Sequence, residues 1–246
     1  MMEPSVTGYT APIYTADSQG EYGVVRTSVY VYEAPVRLWH WVNALCIVVL
    51  MVSGYLIASP LPSVDGEASA HYVMGNIRFI HFAAGQTLAI AFLLRIVWSF
   101  FGNEHSRQLF YIPFWRWRYW YEAGYELAWY LFIVKNPKKY VGHNPLANLA
   151  MFVLFTLLTL FMICTGFALY SEGAGIDSWQ AKLFGWVFLI WPNSQEVHTF
   201  HHLGLWAMVV FVVLHVYAAI REDIASRQTM ISAITTGHRF FRDDDE

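Results

Sequence analysis

The segment "HTFHHLGLWAMVVFVVLHVY" (residues 198–217) places four histidines in a run otherwise apolar enough to cross a bilayer. Ionisable side chains are costly in lipid and mark function there. Neutral imidazole is a good donor to transition metals, so metal ligation is the chemistry this segment offers first. On an α-helix each residue advances about 100° and 1.5 Å. His201 and His215, fourteen positions apart, therefore share a face within about 40° and are separated by about 21 Å along the axis. His202 falls about 140° from His215, and His198 about 100° from it at the outer water boundary. Two of the four form an aligned pair, and the adjacency of His201 and His202 leaves the register between them open.

The elements that must position them are helices in a membrane. Of 246 residues, 57% are hydrophobic, 18% aromatic and only 13% charged. Apolar runs at about 41–58, 79–101, 146–170 and 199–220 are each near the length that spans the hydrocarbon core. The pattern predicts an all-α integral membrane four-helix bundle. Residues 59–77 hold no Lys or Arg and residues 171–197 hold only Lys182, whereas residues 102–145 carry Arg107, Arg116, Arg118, Lys135, Lys138 and Lys139. Arg26, Arg37, Arg221, Arg227, Arg239 and Arg242 add to the flanks. Basic loops stay inside, so both termini and the middle loop are expected on the cytoplasmic side. The layout is a cytoplasmic arm (1–36), a four-helix domain (37–225) and a cytoplasmic tail (226–246) ending in "RDDDE", a solvated tail. Residues 1–36 lack the basic-then-apolar pattern of a secretory leader.

The middle loop contains "YIPFWRWRYWYEAGYELAWYLFIV", expected as a helix lying at the cytoplasmic interface rather than a fifth span. Arg118, Glu122 and Glu126 recur every four residues and read as a polar ridge on one face of it. The run "LFGWVFLIW" (183–191) is too short to span and suits the outer interface or a partner. A net charge of −3 gives no reason to expect nucleic acid, and the lipid interface explains the aromatic and basic loop. Cys46 and Cys164 fall in different spans, where they read as small apolar side chains.

Depth sorts the remaining histidines. His40, in "RLWHWVNAL", opens the first span at its cytoplasmic end, level with His215. His81, in "IRFIHFAAG", lies near the outer end of the second span, level with His201. The result is two pairs, one toward each surface, each bridging two helices. Facing imidazoles in a helical bundle are an axial site for haem iron. No C-x-x-C-H attachment motif occurs, so the expected cofactors are two non-covalent b haems, inner at His40/His215 and outer at His81/His201. Zinc favours four ligands in one cluster, and two sites about 20 Å apart do not make one. A proton-conducting histidine chain lacks stepping stones at intermediate depth. Gly54, Gly85 and Gly204 fall beside the ligands, where a flat macrocycle needs gaps. Arg95, fourteen after His81, is placed to neutralise a haem propionate near the inner pair or to snorkel. His71, His105, His143 and His238 lie outside the spans.

The segments "RLWHWVNAL", "IRFIHFAAG", "KYVGHNPLA" and "GLWAMVVFVVLHVY" resemble the b-type cytochrome subunit of membrane-bound [NiFe] hydrogenases over about residues 30–225. Histidine-bearing helices of this kind recur in cytochrome b subunits of formate dehydrogenases and thiosulfate reductases, which remain the alternative. "GHNPLA" and the aromatic loop favour the hydrogenase branch. The resemblance implies a multi-pass anchor in the bacterial cytoplasmic membrane with His40, His81, His201 and His215 as haem ligands. It further implies electrons received from the iron–sulfur chain of a hydrogenase small subunit, itself bound to the large subunit, and passed to the quinone pool. The chain itself would perform no hydrogen chemistry. A quinone site belongs near the inner haem, where Arg37, Asn43, His143, Asn144 and Tyr217 are within reach by depth, His143 and Asn144 foremost. A non-electron-transfer protein such as a metal transporter would purify colourless.

Overall fold

The computed structural model describes residues 11–16, 22–62, 66, 71–136, 138, 140–225 and 229–242. Lys139, Arg227 and the acidic end beyond Arg242 lie outside the described residues. The chain begins with strands β1 (Ala11–Ala16) and β2 (Tyr22–Tyr30), followed by helices α1 (Ala34–Ala58) and α2 (Val73–Phe101). The short α3 (Glu104–Arg107) and α4 (Trp117–Tyr130) come next. A third long helix follows as α5 (Pro145–Ala150), a π-helical stretch Met151–Leu157, and α6 (Leu158–Ala174). Short α7 (Trp179–Phe184) and α8 (Val187–Ile190) lead to α9 (Ser194–Ala225), α10 (Met230–Thr236) and β3 (His238–Arg242). The protein is mostly helical. Four apolar helices of 25, 29, 30 and 31 residues exceed the roughly 20 needed to span a bilayer. Each begins before its apolar run, because a helix continues into flanking residues that can cap it. Pro35 in the first turn of α1 and Pro145 after the Asn144 cap are the clearest starts.

The described chain forms two compact units, Met1–His40 with Val97–Phe152 and Val213–Glu246, and Trp41–Ile96 with Val153–Val212. In the first, β1, β2 and β3 form an antiparallel sheet in that order, with Ala11 opposite Ser28 and Tyr30 opposite His238. The arm and the tail, visible in the sequence only as flanks, thus pair with each other. Gly237, in the left-handed conformation (φ 90°), ends α10 and turns the chain into β3. Its carbonyl accepts from the Val31 amide at 2.8 Å. Val29, Val31, Tyr32, Val36 and Ala233 form the core beneath. Glu33 accepts from the Trp98 indole (3.1 Å) and the Asn103 amide (3.0 Å), tying the start of α1 to the end of α2.

The middle-loop helix is α4, and it presents Trp117, Tyr121 and Leu127 outward while burying Tyr119, Ala123, Glu126 and Trp129. Arg221 of α9 fixes its C-terminal end. The guanidinium donates to the carbonyls of Tyr130 (2.7 Å) and Trp129 (2.9 Å) and lies over the rings of Trp129, Tyr130 and Phe132. This satisfies carbonyls that a helix end leaves unpaired. The expected polar ridge does not hold along its length. Exposed Arg118 pairs with half-buried Glu122 at 2.8 Å, but Glu126 is 1% exposed. A four-residue repeat drifts by about 40° at each step, so Glu126 arrives on the face that buries Tyr119, Ala123 and Trp129.

In the second unit α7 and α8 fold back on α6 through Ala168, Val187 and Val197, and Phe167 stacks on Phe184 at 5.0 Å. Leu183, Leu189 and Ile190 of the 183–191 run remain exposed.

Candidate haem-ligand pairs

Within the second unit His81 of α2 faces His201 of α9, ring centres 6.5 Å apart and planes at 77°. Within the first, His40 of α1 faces His215 of α9, ring centres 6.4 Å apart and planes at 46°. A metal–imidazole bond is about 2.0–2.1 Å and a ring centre lies roughly 1.1 Å behind its nitrogen, so two imidazoles on opposite sides of one iron have centres roughly 6.3 Å apart. Both pairs stand at that spacing. Among the described residues no three His, Cys, Asp or Glu side chains converge to hold a metal ion.

The outer pair is held by hydroxyls on the two other helices of its unit. Ser53 Oγ of α1 lies 2.9 Å from His81 Nδ1 and donates its one proton to the Val49 carbonyl at 2.6 Å. Thr165 Oγ1 of α6 lies 2.8 Å from His201 Nδ1 and donates to the Phe161 carbonyl at 2.8 Å. A hydroxyl whose hydrogen is already committed can only accept, so each Nδ1 carries the proton. Each Nε2 then keeps its lone pair for iron, with the ring orientation fixed from behind. A glycine follows each hydroxyl. A Cβ on Gly54 would stand 3.3 Å from His81 Cε1, and one on Gly166 would stand 3.3 Å from His201 Cε1. Two Ser/Thr–Gly dipeptides on opposite helices thus cradle two imidazoles in the same way.

The chain's sequence matches the family described as prokaryotic cytochrome b561 over residues 31–237. The chain belongs to that cytochrome family. A relative from Bradyrhizobium diazoefficiens is 67% identical over 228 residues, spanning 93% of this chain and 92% of its own. Another from Rhizobium leguminosarum bv. viciae is 62% identical over 231 residues, spanning 94% and 97%. Both are named probable Ni/Fe-hydrogenase B-type cytochrome subunit. A relative from Escherichia coli K12, named probable Ni/Fe-hydrogenase 1 B-type cytochrome subunit, is 50% identical over 214 residues, spanning 86% and 91%.

Membership in a cytochrome b561 family implies haem b, and the two pairs fit it in spacing and, at the outer pair, in tautomer. In this cytochrome His202 is turned away from His81: its Nε2 accepts from the Trp206 indole at 3.2 Å, one turn along the same helix. His198 Nδ1 lies 3.0 Å from the Ser194 carbonyl. Of the three adjacent histidines, His201 is the one facing His81. Gly54 sits against the outer pair as its spacing suggests. Gly204 serves helix approach instead, since a Cβ there would collide with Met162 Sδ. Gly85 meets only Leu50, at 3.9 Å. Arg95 is buried in the second unit, 4% exposed.

His143 and Asn144 belong to the first unit, with His40 and His215. The Asn144 side chain caps α5 by accepting from the Ala147 amide at 2.7 Å. His143 Nδ1 lies 3.1 Å from the Tyr32 hydroxyl and 3.3 Å from Gln108 Oε1. Beside it Asn148 accepts from the Tyr119 hydroxyl at 2.9 Å and donates to the Gln108 carbonyl. Arg37 donates to the Thr235 carbonyl at 2.8 Å, Asn43 is buried in the second unit, and Tyr217 is exposed. His105 contacts Gln108, and its burial pushes the imidazole below its ordinary range. His238 packs on Tyr30 and His71 is exposed. Ser53, Thr165, Gly166, Glu126 and Glu222 were not among the residues singled out as site candidates. The first three share a signal, a hydroxyl followed by glycine inside an apolar span.

Proposed function

We propose that this cytochrome carries two b haems, anchors a periplasm-facing [NiFe] hydrogenase in the bacterial inner membrane, and passes its electrons to the quinone pool. The observation that carries the reading is the pair of facing imidazoles in each unit, at 6.5 and 6.4 Å, each at the spacing of two ligands on one iron. His81/His201 would hold the outer haem and His40/His215 the inner one. The names of the relatives support a hydrogenase partner, whose small subunit would bring its iron–sulfur chain to the outer face. Haem iron, when bound, supplies one-electron transfer between that chain and membrane quinone. The protein's part is to fix the imidazoles, keep water out, and provide polar groups for quinone near the inner pair, where His143 and Asn144 are the candidates. It performs no hydrogen chemistry of its own. Basic residues of the middle loop and flanks favour cytoplasmic termini.

The test is a haem-to-protein ratio by pyridine haemochrome, together with spectra of membranes reduced by hydrogen. Two b haems per chain, both reducible by hydrogen, are expected. A colourless protein, or haems that hydrogen leaves oxidised, would overturn the reading.

A further inference from the structure

Both buried carboxylates among the described residues, Glu126 and Glu222, lie in the unit of the inner pair, at 1% and 4% exposure. Their surroundings differ. Glu222, two turns beyond His215 on α9, has Arg239 of β3 at 3.8 Å and accepts from the Tyr130 hydroxyl at 3.4 Å. Arg239 is itself 1% exposed and also donates to the Gly142 carbonyl at 3.0 Å. The charge of Glu222 is therefore answered. Glu126 Oε1 finds no partner at hydrogen-bond distance, and the groups that favour its charge are Tyr140 and the Lys138 backbone, which burial outweighs. A carboxyl this buried and incompletely hydrogen-bonded pays heavily for its charged form, so it holds its proton to higher pH than a free carboxyl does.

The groups facing Glu126 set how readily that proton leaves. Burial and the negative charge of Glu222 push the Glu126 carboxyl up to about 7, while Tyr140 and Lys138 pull the other way. Arg221 is occupied by α4's terminal carbonyls and rings, and Arg118 pairs with Glu122 on the outer face. The charge of Glu222 thus helps Glu126 keep its proton toward neutral pH, where a free carboxyl would have lost it.

We propose that Glu126, backed by Glu222, is a proton-holding site that feeds the reduction of quinone beside the inner histidine pair. This rests on the reading above that electrons leave the cytochrome to quinone. Quinone takes two electrons from the cytochrome and two protons, its two C=O bonds becoming C–OH. For each proton the Glu126 O–H bond breaks, directly or across a water, as a quinol O–H forms. The carboxylate left behind is reprotonated from the cytoplasmic side, so the site is restored and two protons are taken up there per quinol. Glu222 lies about 10 Å along α9 from His215, against Tyr130 of the middle loop and Arg239 of the tail strand.

The experiment compares wild type, Glu126→Gln and Glu126→Asp in the hydrogenase–cytochrome complex in membranes, with a ubiquinone and a naphthoquinone analogue as acceptors. Haem content and viologen reduction by hydrogen report integrity and should be unchanged. In Glu126→Gln, quinone reduction should fall at least tenfold, while Glu126→Asp recovers most of the rate. The wild-type rate should fall as pH rises through about 7, an inflection absent from Glu126→Gln. Independently of turnover, the redox-induced infrared difference spectrum of wild type should contain a protonated-carboxyl C=O band that Glu126→Gln lacks. A full rate and unchanged pH profile in Glu126→Gln, or a spectrum with no such band, would overturn the proposal. If wild type reduces neither quinone, the functional reading fails instead, and the infrared band still decides whether Glu126 holds a redox-linked proton.

Discussion

The outer and inner histidine pairs have nearly the same ring separation, 6.5 and 6.4 Å, yet their units offer them different chemistry. Around His81 and His201 the polar partners are the hydroxyls of Ser53 and Thr165, whose protons are committed to their own helices. The buried polar residues of that unit include no carboxylate among those described. The unit of His40 and His215 instead buries Glu126, Glu222 and Arg239, and Tyr119 and Asn148 join half-buried Gln108 and His143 in a hydrogen-bonded knot. One surrounding suits electrons alone. The other also holds groups that titrate, which under the proposed function an exit to quinone would require and an entry from iron–sulfur clusters would not.

The largest effect should come from removing a ligand in one unit only. His201→Ala should lower haem from two per chain to one and stop electron flow from hydrogen to quinone. His202→Ala should keep both haems, because its ring bonds Trp206 rather than facing His81. Pyridine haemochrome on the two purified variants checks this. A full haem complement in His201→Ala, with loss in His202→Ala, would reverse the register.

The next effect isolates the hydroxyl cradle. Thr165→Val and Ser53→Ala each remove the acceptor behind one imidazole without touching the iron side. Loss of such a partner typically weakens metal retention by about 10–100-fold. The imidazole also becomes a poorer donor to ferric iron, so the outer haem's midpoint potential should rise while the inner one stays put. Spectroelectrochemical titration reads both haems at once. Equal shifts in the two would dissolve the distinction between the units.

A smaller effect is expected from Gly166→Ala, whose Cβ would press His201 Cε1 at 3.3 Å. Crowding of this kind costs about 1 kcal/mol or more, equivalent to roughly fivefold weaker haem retention. Gly173→Ala is the control, since nothing lies within 4 Å of its Cβ. Haem loss on dilution into apo-myoglobin measures both.

The spans and the two pairs were legible because lipid makes both signals local. Long apolar runs declare themselves, and fourteen-residue spacing places His201 and His215 on one face without any tertiary knowledge. What stayed hidden depends on contacts between distant segments. Ser53 and Thr165 look like ordinary small residues until another helix brings an imidazole to each. The sheet joins residues 11–30 to residues 238–242, a pairing that no local pattern announces. The ridge of Arg118, Glu122 and Glu126 gave no sign that Glu126 is buried, because periodicity gives a face but not what packs on it.

The last effect concerns Glu126 and bears on folding rather than turnover. Its carboxyl is held up at about 7 in the folded protein against 4.5 ordinarily. Between those values the folded state binds more protons than the unfolded one, so stability must fall as pH rises. The contribution is fully present below about 4.5 and is lost as pH passes through about 7. Glu126→Gln, which cannot ionise, should remove that slope while leaving the contribution of Glu222 and Arg239 in both proteins. Thermal unfolding in detergent, followed by loss of the haem Soret band between about pH 5 and 8, should show wild type losing more Tm than the variant. Parallel curves would mean that Glu126 is already ionised when folded, and the unit of His40 and His215 would then differ from its counterpart in charge but not in protons.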